Sequence, residues 1–108
     1  MMKVDTTTLA DVIGQCFDNS TDGNFAASER AAFLADGKRL RGLLLNLLSA
    51  QFNNGTQQVL NANIELKAVN TELRASAATL TKTATTLNNV AHLVGSLDGL
   101  LTVAVSFV

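Results

Sequence analysis

The 108-residue chain contains no proline, no tryptophan and no tyrosine, and it has a single cysteine. Without proline nothing interrupts the hydrogen-bond ladder of a helix, so long helices are permitted. A lone Cys16 cannot form an internal disulfide, which excludes a disulfide-stapled fold. The N-terminal sequence MMKVDTTTLADV lacks the apolar segment of a signal peptide, and no run of ~18 apolar residues suits a membrane span. We therefore expect one cytoplasmic domain over residues 1–108.

Charge of either sign is also scarce, with eight lysines and arginines against nine aspartates and glutamates. A net charge of −1 gives no reason to expect a nucleic-acid partner or a strong attraction to a membrane surface. The only basic cluster in the sequence is Lys38, Arg39 and Arg41, which a phosphate or a lipid headgroup could bind. A solvated helix face beside Asp36 is the simpler interpretation of the same residues.

The residues that usually carry out catalysis are also few. His92 is the only histidine, and no acid lies three or four positions away to orient its imidazole ring. The sequence contains no metal-ligand pair, no serine triad and no dinucleotide-binding loop. Cys16 falls on the apolar face of a predicted helix, where a small core residue is expected. We therefore predict a protein that is not an enzyme and that needs no cofactor.

The strongest positive pattern lies in residues 57–101, where an apolar residue recurs at every seventh position. With 47% apolar residues in the chain, seven such matches would arise by chance with a probability of roughly 0.005, so the period indicates a helix. Smaller residues follow three and four positions later, and small residues in a seam let two helices approach closely. The heptad column consists of Val59, Leu66, Leu73, Leu80, Leu87, Val94 and Leu101.

These patterns predict an all-α fold, arranged as a helical hairpin or a coiled-coil-like bundle. A short first helix is expected at 7–17, a second helix of about 25 residues at 25–52, and a long third helix at 57–97. Gly37 and Gly42 each weaken the second helix and could kink it.

Two segments of the chain allow two interpretations each. Residues Asn53 to Thr56 contain a glycine and a capping threonine, which favours a hairpin turn, although one unbroken helix would also keep the heptad column. The apolar tail 99–108 alternates as a strand does, but it could equally be the frayed end of the long helix.

The predicted third helix leads to an expectation about assembly. At 1.5 Å per residue it would be about 60 Å long, which is more than the first 52 residues could cover. An uncovered apolar stripe favours association with another chain. We therefore expect a homo-oligomer, most simply a dimer, with the heptad column as its interface. A helical protein partner is the alternative occupant of that stripe.

The sharpest local motif is DNSTDGNFAASE, residues 18–29, which resembles the EF-hand calcium loop over all twelve positions. Gly23 stands where that loop makes its sharp turn. Calcium binds six to eight oxygen atoms on a flexible loop, and this spacing could supply them. The alternative is a polar interhelical loop in which Asp22 or Asn24 caps the next helix. The resemblance implies that the calcium ligands are Asp18, Ser20, Asp22, Asn24 and Glu29.

Three hypotheses about function follow from these observations. The first is a non-enzymatic helical protein that oligomerises or binds another protein. The second is a calcium-modulated helical module that uses the loop at 18–29. The third is a membrane-active helical protein that inserts the LLLNLL segment and the apolar tail, and the few basic residues count against it.

Overall fold

A computed structural model describes residues 2–107, which form four α-helices and two short strands. This mostly helical architecture agrees with the predicted all-α class. Two single turns of 3-10 helix connect the third α-helix to the fourth. The elements are α1 Thr6–Ser20, α2 Ala27–Leu47, β1 Ala50–Gln51, α3 Gln57–Ala75, the 3-10 turns Ser76–Ala78 and Leu80–Lys82, α4 Thr83–Leu100 and β2 Ser106–Phe107.

The four helices form a bundle in which α1 and α4 each pack against both α2 and α3. Hydrogen bonds join Asp5 to Asn63 near the start of α1 and Asn19 to Ser76 near its end, so α1 and α3 run parallel. Short connections make α1–α2 and α3–α4 antiparallel hairpins. The α1–α2 hairpin and the α3–α4 hairpin therefore form opposite sides of a bundle that measures 42 × 20 × 18 Å.

One continuous apolar core runs between the two hairpins, and all four helices contribute to it. Leu9, Phe33, Leu66 and Leu93 are each fully buried, one from each helix. Full burial of such a side chain contributes about 1.5–3 kcal/mol relative to exposure. At the α1–α2 loop, the Phe33 ring meets Phe25 edge to face, with centroids 5.2 Å apart and an interplanar angle of 62°. The apolar stripes of the helices thus cover one another within one chain.

The predicted single helix at 57–97 is wrong, because α3 ends at Ala75 and α4 begins at Thr83. The chain reverses over residues 76–82, and α4 packs against α3. This connection contains seven residues, which is the period of the heptad column itself. The column therefore keeps its phase across the reversal, and periodicity alone does not distinguish one long helix from a hairpin.

The helix ends here without glycine or proline, and hydroxyl side chains bind carbonyl groups at its end. Ser76 Oγ donates a hydrogen bond to the Leu73 carbonyl, and Thr79 Oγ1 donates to the Ala75 carbonyl. The Leu73 carbonyl also accepts the backbone N–H of Ser76, an i→i−3 bond that tightens the last turn into 3-10 helix. Ser76 is also buried and accepts a hydrogen bond from Asn19 Nδ2 at 3.0 Å, which fixes the turn to the end of α1.

The heptad column lies mostly inside the bundle, so the premise that the chain cannot cover it is wrong. Leu80, in the connection, is the one exposed member of the column, with 44% of its surface accessible. The expected dimer interface is thus largely occupied by the chain's own core. Val59, Leu66, Leu73 and Val94 are buried, whereas Leu87 and Leu101 are partly buried against the same core.

The second helix ends at Leu47 rather than at residue 52, because the chain becomes extended there. Ala50–Phe52 lies between two extended segments: Phe52 pairs with Met2, and β1 pairs antiparallel with β2. Both interpretations of the tail apply in part, since α4 continues to Leu100 and the chain then turns into β2. Residue 108 lies outside the described part of the chain.

The chain breaks between the helices at 53–56, where Gly55 adopts a φ of 79° that favours glycine. The predicted hairpin at this turn is wrong, because α2 packs against α1 and α4 and not as the antiparallel partner of α3. The first helix is longer than the predicted 7–17, because Asp5 caps it by accepting the Thr8 backbone N–H at 3.1 Å. α2 is continuous through Gly37 and Gly42. No helix within residues 2–107 combines the length and apolar character needed to cross a membrane.

Candidate functional site

A groove runs along the surface between α3 and α4. It consists of three adjoining depressions of about 240, 390 and 290 Å³. Glu72 lines the first and second, and Glu65 and His92 line the second and third, so the depressions form one channel. We call this channel the α3–α4 groove. Its lining extends over Gln58–Ala75 of α3, Thr85–Ser96 of α4 and two residues of the connection, Thr79 and Lys82.

Small side chains create the α3–α4 groove. Alanines at positions 62, 68 and 75 and threonines at 71, 79, 85 and 86 line it, where larger residues would fill the space between the helices. Small residues three and four positions after the column members predict close approach of two helices. Of the residues at those spacings only Ala62 is among the small side chains that line the channel, so the other six lie outside that pattern.

Two carboxylates lie in the groove, and each is held by a side chain of α4. Glu65 Oε1 lies 2.6 Å from His92 Nδ1. Glu72 accepts two hydrogen bonds from Asn89 Nδ2, at 2.8 and 3.0 Å. The hydrogen bond that Glu65 accepts from His92 and the negative charge of Glu65 raise the pKa of His92 above its usual 6.5. The groove thus holds two carboxylates in its middle depression, and its one lysine, Lys82, lies at the end next to the α3–α4 connection.

The predicted surface position of His92 is confirmed, since 76% of its side chain is exposed. Its partner Glu65 is 27 residues away, so a search for acids three or four positions along the helix missed it. The available signal was a pair of spacings: Glu65 and Glu72 are seven apart, and Asn89 and His92 are three apart. These spacings bring the residues together only when α3 and α4 are antiparallel.

The structure does not bring the predicted calcium ligands together. Asp18 and Ser20 lie in the last turn of α1, where Ser20 Oγ donates to the Phe17 carbonyl. Asp22 Oδ1 accepts the Asn24 backbone N–H at 2.9 Å. Within residues 2–107, no group of three or more His, Cys, Asp or Glu side chains is placed to hold a metal ion.

Glu29 caps α2 instead of completing a calcium loop. Its Oε1 accepts the backbone N–H of Ala26 at 2.8 Å, which places an acid in the first turn, where the helix dipole favours it. The alternative of a polar interhelical loop is correct in kind, but the cap comes from Glu29 and not from Asp22 or Asn24. The acid at the twelfth position of the motif therefore serves as a helix cap in this structure.

Two members of the basic cluster, Lys38 and Arg41, belong to an exposed stripe on the outer side of α2. Arg41 lies over the Phe17 ring of α1, with its guanidinium carbon 5.8 Å from the ring centroid, so the stripe borders α1. Leu45 and Leu48, both in the LLLNLL segment, are 67% and 51% exposed. We call this stripe the α2 seam. It consists of Leu34, Lys38, Arg41, Leu45 and Leu48, all of them exposed.

Cys16 is a buried core residue, as predicted. Burial, with a smaller contribution from the negative charge of Asp36, raises the pKa of its thiol to about 12. A thiol that stays protonated at neutral pH is a poor nucleophile and a poor metal ligand.

No protein-family model matches this chain, and no match was found among curated proteins or solved structures.

Proposed function

We propose that this chain is a non-enzymatic protein-interaction module that binds a helix of its partner in the α3–α4 groove. The observation that carries the proposal is the run of adjoining depressions along the α3–α4 side of the bundle. A channel between two antiparallel helices suits a third helix, because helices pack by placing side chains into the grooves between neighbours. Recognition of an amphipathic helix in such a groove is a common mode of protein binding.

The dimensions of the groove support a helical ligand. The α3 lining from Gln58 to Ala75 covers 17 steps along the helix, which is about 26 Å at 1.5 Å per residue. A ligand helix of four to five turns, or roughly 17 residues, would fill that length. Such a length is within the usual range for helices of globular proteins.

The charges of the groove support a ligand with basic side chains. Glu65 and Glu72 are two turns apart on α3 and are both only half-buried, so each retains surface for a further contact. Their existing partners on α4 hold the carboxylates in place, which lowers the entropy lost on binding. Lysine or arginine on the ligand would meet these acceptors, whereas an acidic helix would be repelled.

Two synthetic helical peptides of about 21 residues test the proposal. Both peptides carry leucine at the same positions, spaced so that the leucines lie on the helix face that would enter the groove. The peptides differ only in having lysine or glutamate between the leucines. The measurement is the titration of each peptide into 15N-labelled chain, followed through amide chemical shifts. We expect the basic peptide to shift the signals of Glu65, Glu72, Asn89 and His92, and the acidic peptide to leave them unchanged.

A matched control uses the double variant Glu65→Gln and Glu72→Gln, which keeps the size of both side chains and removes their charge. The basic peptide should bind this variant more weakly by about tenfold or more. The proposal is wrong if neither peptide binds at millimolar concentration, or if both bind equally and the glutamine variant makes no difference.

A further inference from the structure

We propose that the helix bound in the α3–α4 groove is α2 of a second copy of this chain, presented through the α2 seam. The resulting assembly is head-to-tail, since the groove of one copy receives the seam of the next. This inference rests on the proposed function of the groove and identifies its partner.

The spacing of the α2 seam supports the proposal. Its members Leu34, Lys38, Arg41, Leu45 and Leu48 follow one another at intervals of four, three, four and three residues. This alternation is the spacing by which one helix packs into the groove of others in coiled coils and helical bundles. The seam is thus a second packing stripe on α2, besides the buried stripe that contains Phe33 and Leu40, and it faces outward.

Charge complementarity identifies a second copy as the occupant. The centre of the seam is cationic, with Lys38 and Arg41 between exposed leucines, and the centre of the groove holds Glu65 and Glu72. The two cations are separated by about 4.5 Å along α2 and the two acids by about 10.5 Å along α3. Lysine and arginine have long flexible stems, so they can bridge this difference when they extend in opposite directions.

The leucines of the seam provide the apolar part of the contact. Leu34, Leu45 and Leu48 expose 38%, 67% and 51% of their surface in the single chain. Each would be transferred from water to the small alanine and threonine side chains that line the groove. Large apolar residues at the edges with paired charges at the centre would give both affinity and a fixed register.

The positions of the two surfaces determine the type of assembly. The α2 seam borders α1, whereas the groove lies between α3 and α4 on the opposite side of the bundle. One molecule therefore cannot place its own seam in its own groove, and every copy offers one seam and one groove. Interfaces of this kind form rings when the rotation closes and open filaments when it does not. Successive copies would stack along a short axis of the bundle, whose extents are 20 and 18 Å.

A competing surface exists at the end of the bundle, where Val105 and Phe107 are 49% and 57% exposed beside the outer edge of β2. Edge-to-edge pairing of two β2 strands would be symmetric and would stop at a dimer. The number of copies in the assembly thus distinguishes the two surfaces.

The test uses two charge-reversal variants of the full chain and sedimentation velocity. The first variant, Lys38→Glu with Arg41→Glu, makes the seam acidic and leaves the groove acidic. The second, Glu65→Lys with Glu72→Lys, makes the groove basic and leaves the seam basic. Each variant alone carries like charges on its two surfaces. In a mixture, the acidic seam of the first variant is opposite in charge to the basic groove of the second. The basic seam of the second variant is likewise opposite in charge to the acidic groove of the first.

We expect the weight-average mass of the unmodified chain to rise past that of a dimer between about 5 and 500 µM at low salt, and to fall as salt is added. Each variant alone should stay monomeric in that range, with at least about a tenfold loss of affinity, and an equimolar mixture should recover association to within about threefold. Circular dichroism confirms that both variants remain folded, and a variant that had lost its fold could not be rescued by mixing.

Three results would overturn the inference: an unmodified chain that stays monomeric throughout, a mass that levels off at a dimer, or reversal variants that associate as the unmodified chain does. If the chain proves monomeric and still binds the basic peptide in its groove, the proposed function stands and only the identity of the partner is wrong. If the peptide also fails to bind, both proposals fall.

Discussion

A pair of glycine substitutions on one helix tests how closely α1 and α2 pack. Gly37 and Gly42 both lie within α2, so replacement by alanine gives the same gain in helix propensity at either position. Their surroundings differ. A Cβ atom at Gly37 would lie 3.1 Å from Cε1 of Phe17 and 3.2 Å from Cβ of Cys16, whereas nothing lies within 4 Å of one at Gly42.

These distances determine the sign of the effect at each position. Gly42→Ala should increase the free energy of unfolding by about 0.8–1 kcal/mol, which is the propensity gain alone. Gly37→Ala has the same gain, but its methyl group must push apart two packed helices, at a cost of about 1–3 kcal/mol. The cost is at the lower end if the half-buried Phe17 ring rotates away, but the Cβ atom of Cys16 moves only with the α1 backbone. The two variants should therefore differ in unfolding free energy by about 1–3 kcal/mol.

Urea denaturation followed by circular dichroism measures this difference, because the midpoint and the slope give the free energy of unfolding for each variant. Both slopes should match that of the unmodified chain. Equal stabilisation by the two substitutions would show that α1 and α2 do not approach each other at Gly37, and the described packing of this hairpin would be wrong.

Three further outcomes are expected. The Cys16 thiol should react with a thiol reagent at least about a thousandfold more slowly in the native chain than in urea, because it is buried and its pKa is raised to about 12. Ser76→Ala should destabilise the chain by about 1–3 kcal/mol in a urea melt, because it leaves the buried amide of Asn19 without its hydrogen-bond partner. An unchanged midpoint would show that this hydrogen bond does not stabilise the fold. The raised pKa of His92 means that its pairing with Glu65 contributes stability that is fully present below pH 6.5 and is lost as the pH rises through the raised value. The melting-temperature advantage over His92→Gln should therefore shrink between about pH 6 and pH 9, and a constant difference would contradict the pairing.

The parts of the fold that depend on local patterns could be predicted from the sequence. Apolar spacing placed α1 and most of α2, and the glycine and asparagines of residues 53–55 marked the turn before α3. The heptad column identified residues that are mostly buried. The prediction paired them with a second chain, whereas in the structure they pack against helices of the same chain. A seven-residue connection preserves a seven-residue period, and no local rule states whether the polypeptide continues or reverses across residues 76–82.

The candidate site could not be predicted, because its residues meet only through that reversal. Glu65 and His92 share no helix, and their contact depends on the antiparallel arrangement of α3 and α4. The loop at 18–29 shows that one local spacing can serve two purposes. It resembles a metal-binding loop, and its last acid, Glu29, accepts a backbone hydrogen bond at the start of α2.

The central claim is that α3 and α4 form a hairpin within one chain, and a distance measurement tests it most directly. Cysteines at positions 58 and 96 can carry a fluorescent donor and acceptor, since the two native residues line the same depression and the buried native thiol stays unreactive. Labelled chains diluted into an excess of unlabelled chain report only distances within one molecule. We predict efficient energy transfer, corresponding to a separation below about 20 Å, as for neighbouring helices in contact. A separation near 57 Å, the length of 38 residues of unbroken helix at roughly 1.5 Å each, would contradict the hairpin and return the heptad column to a role between chains.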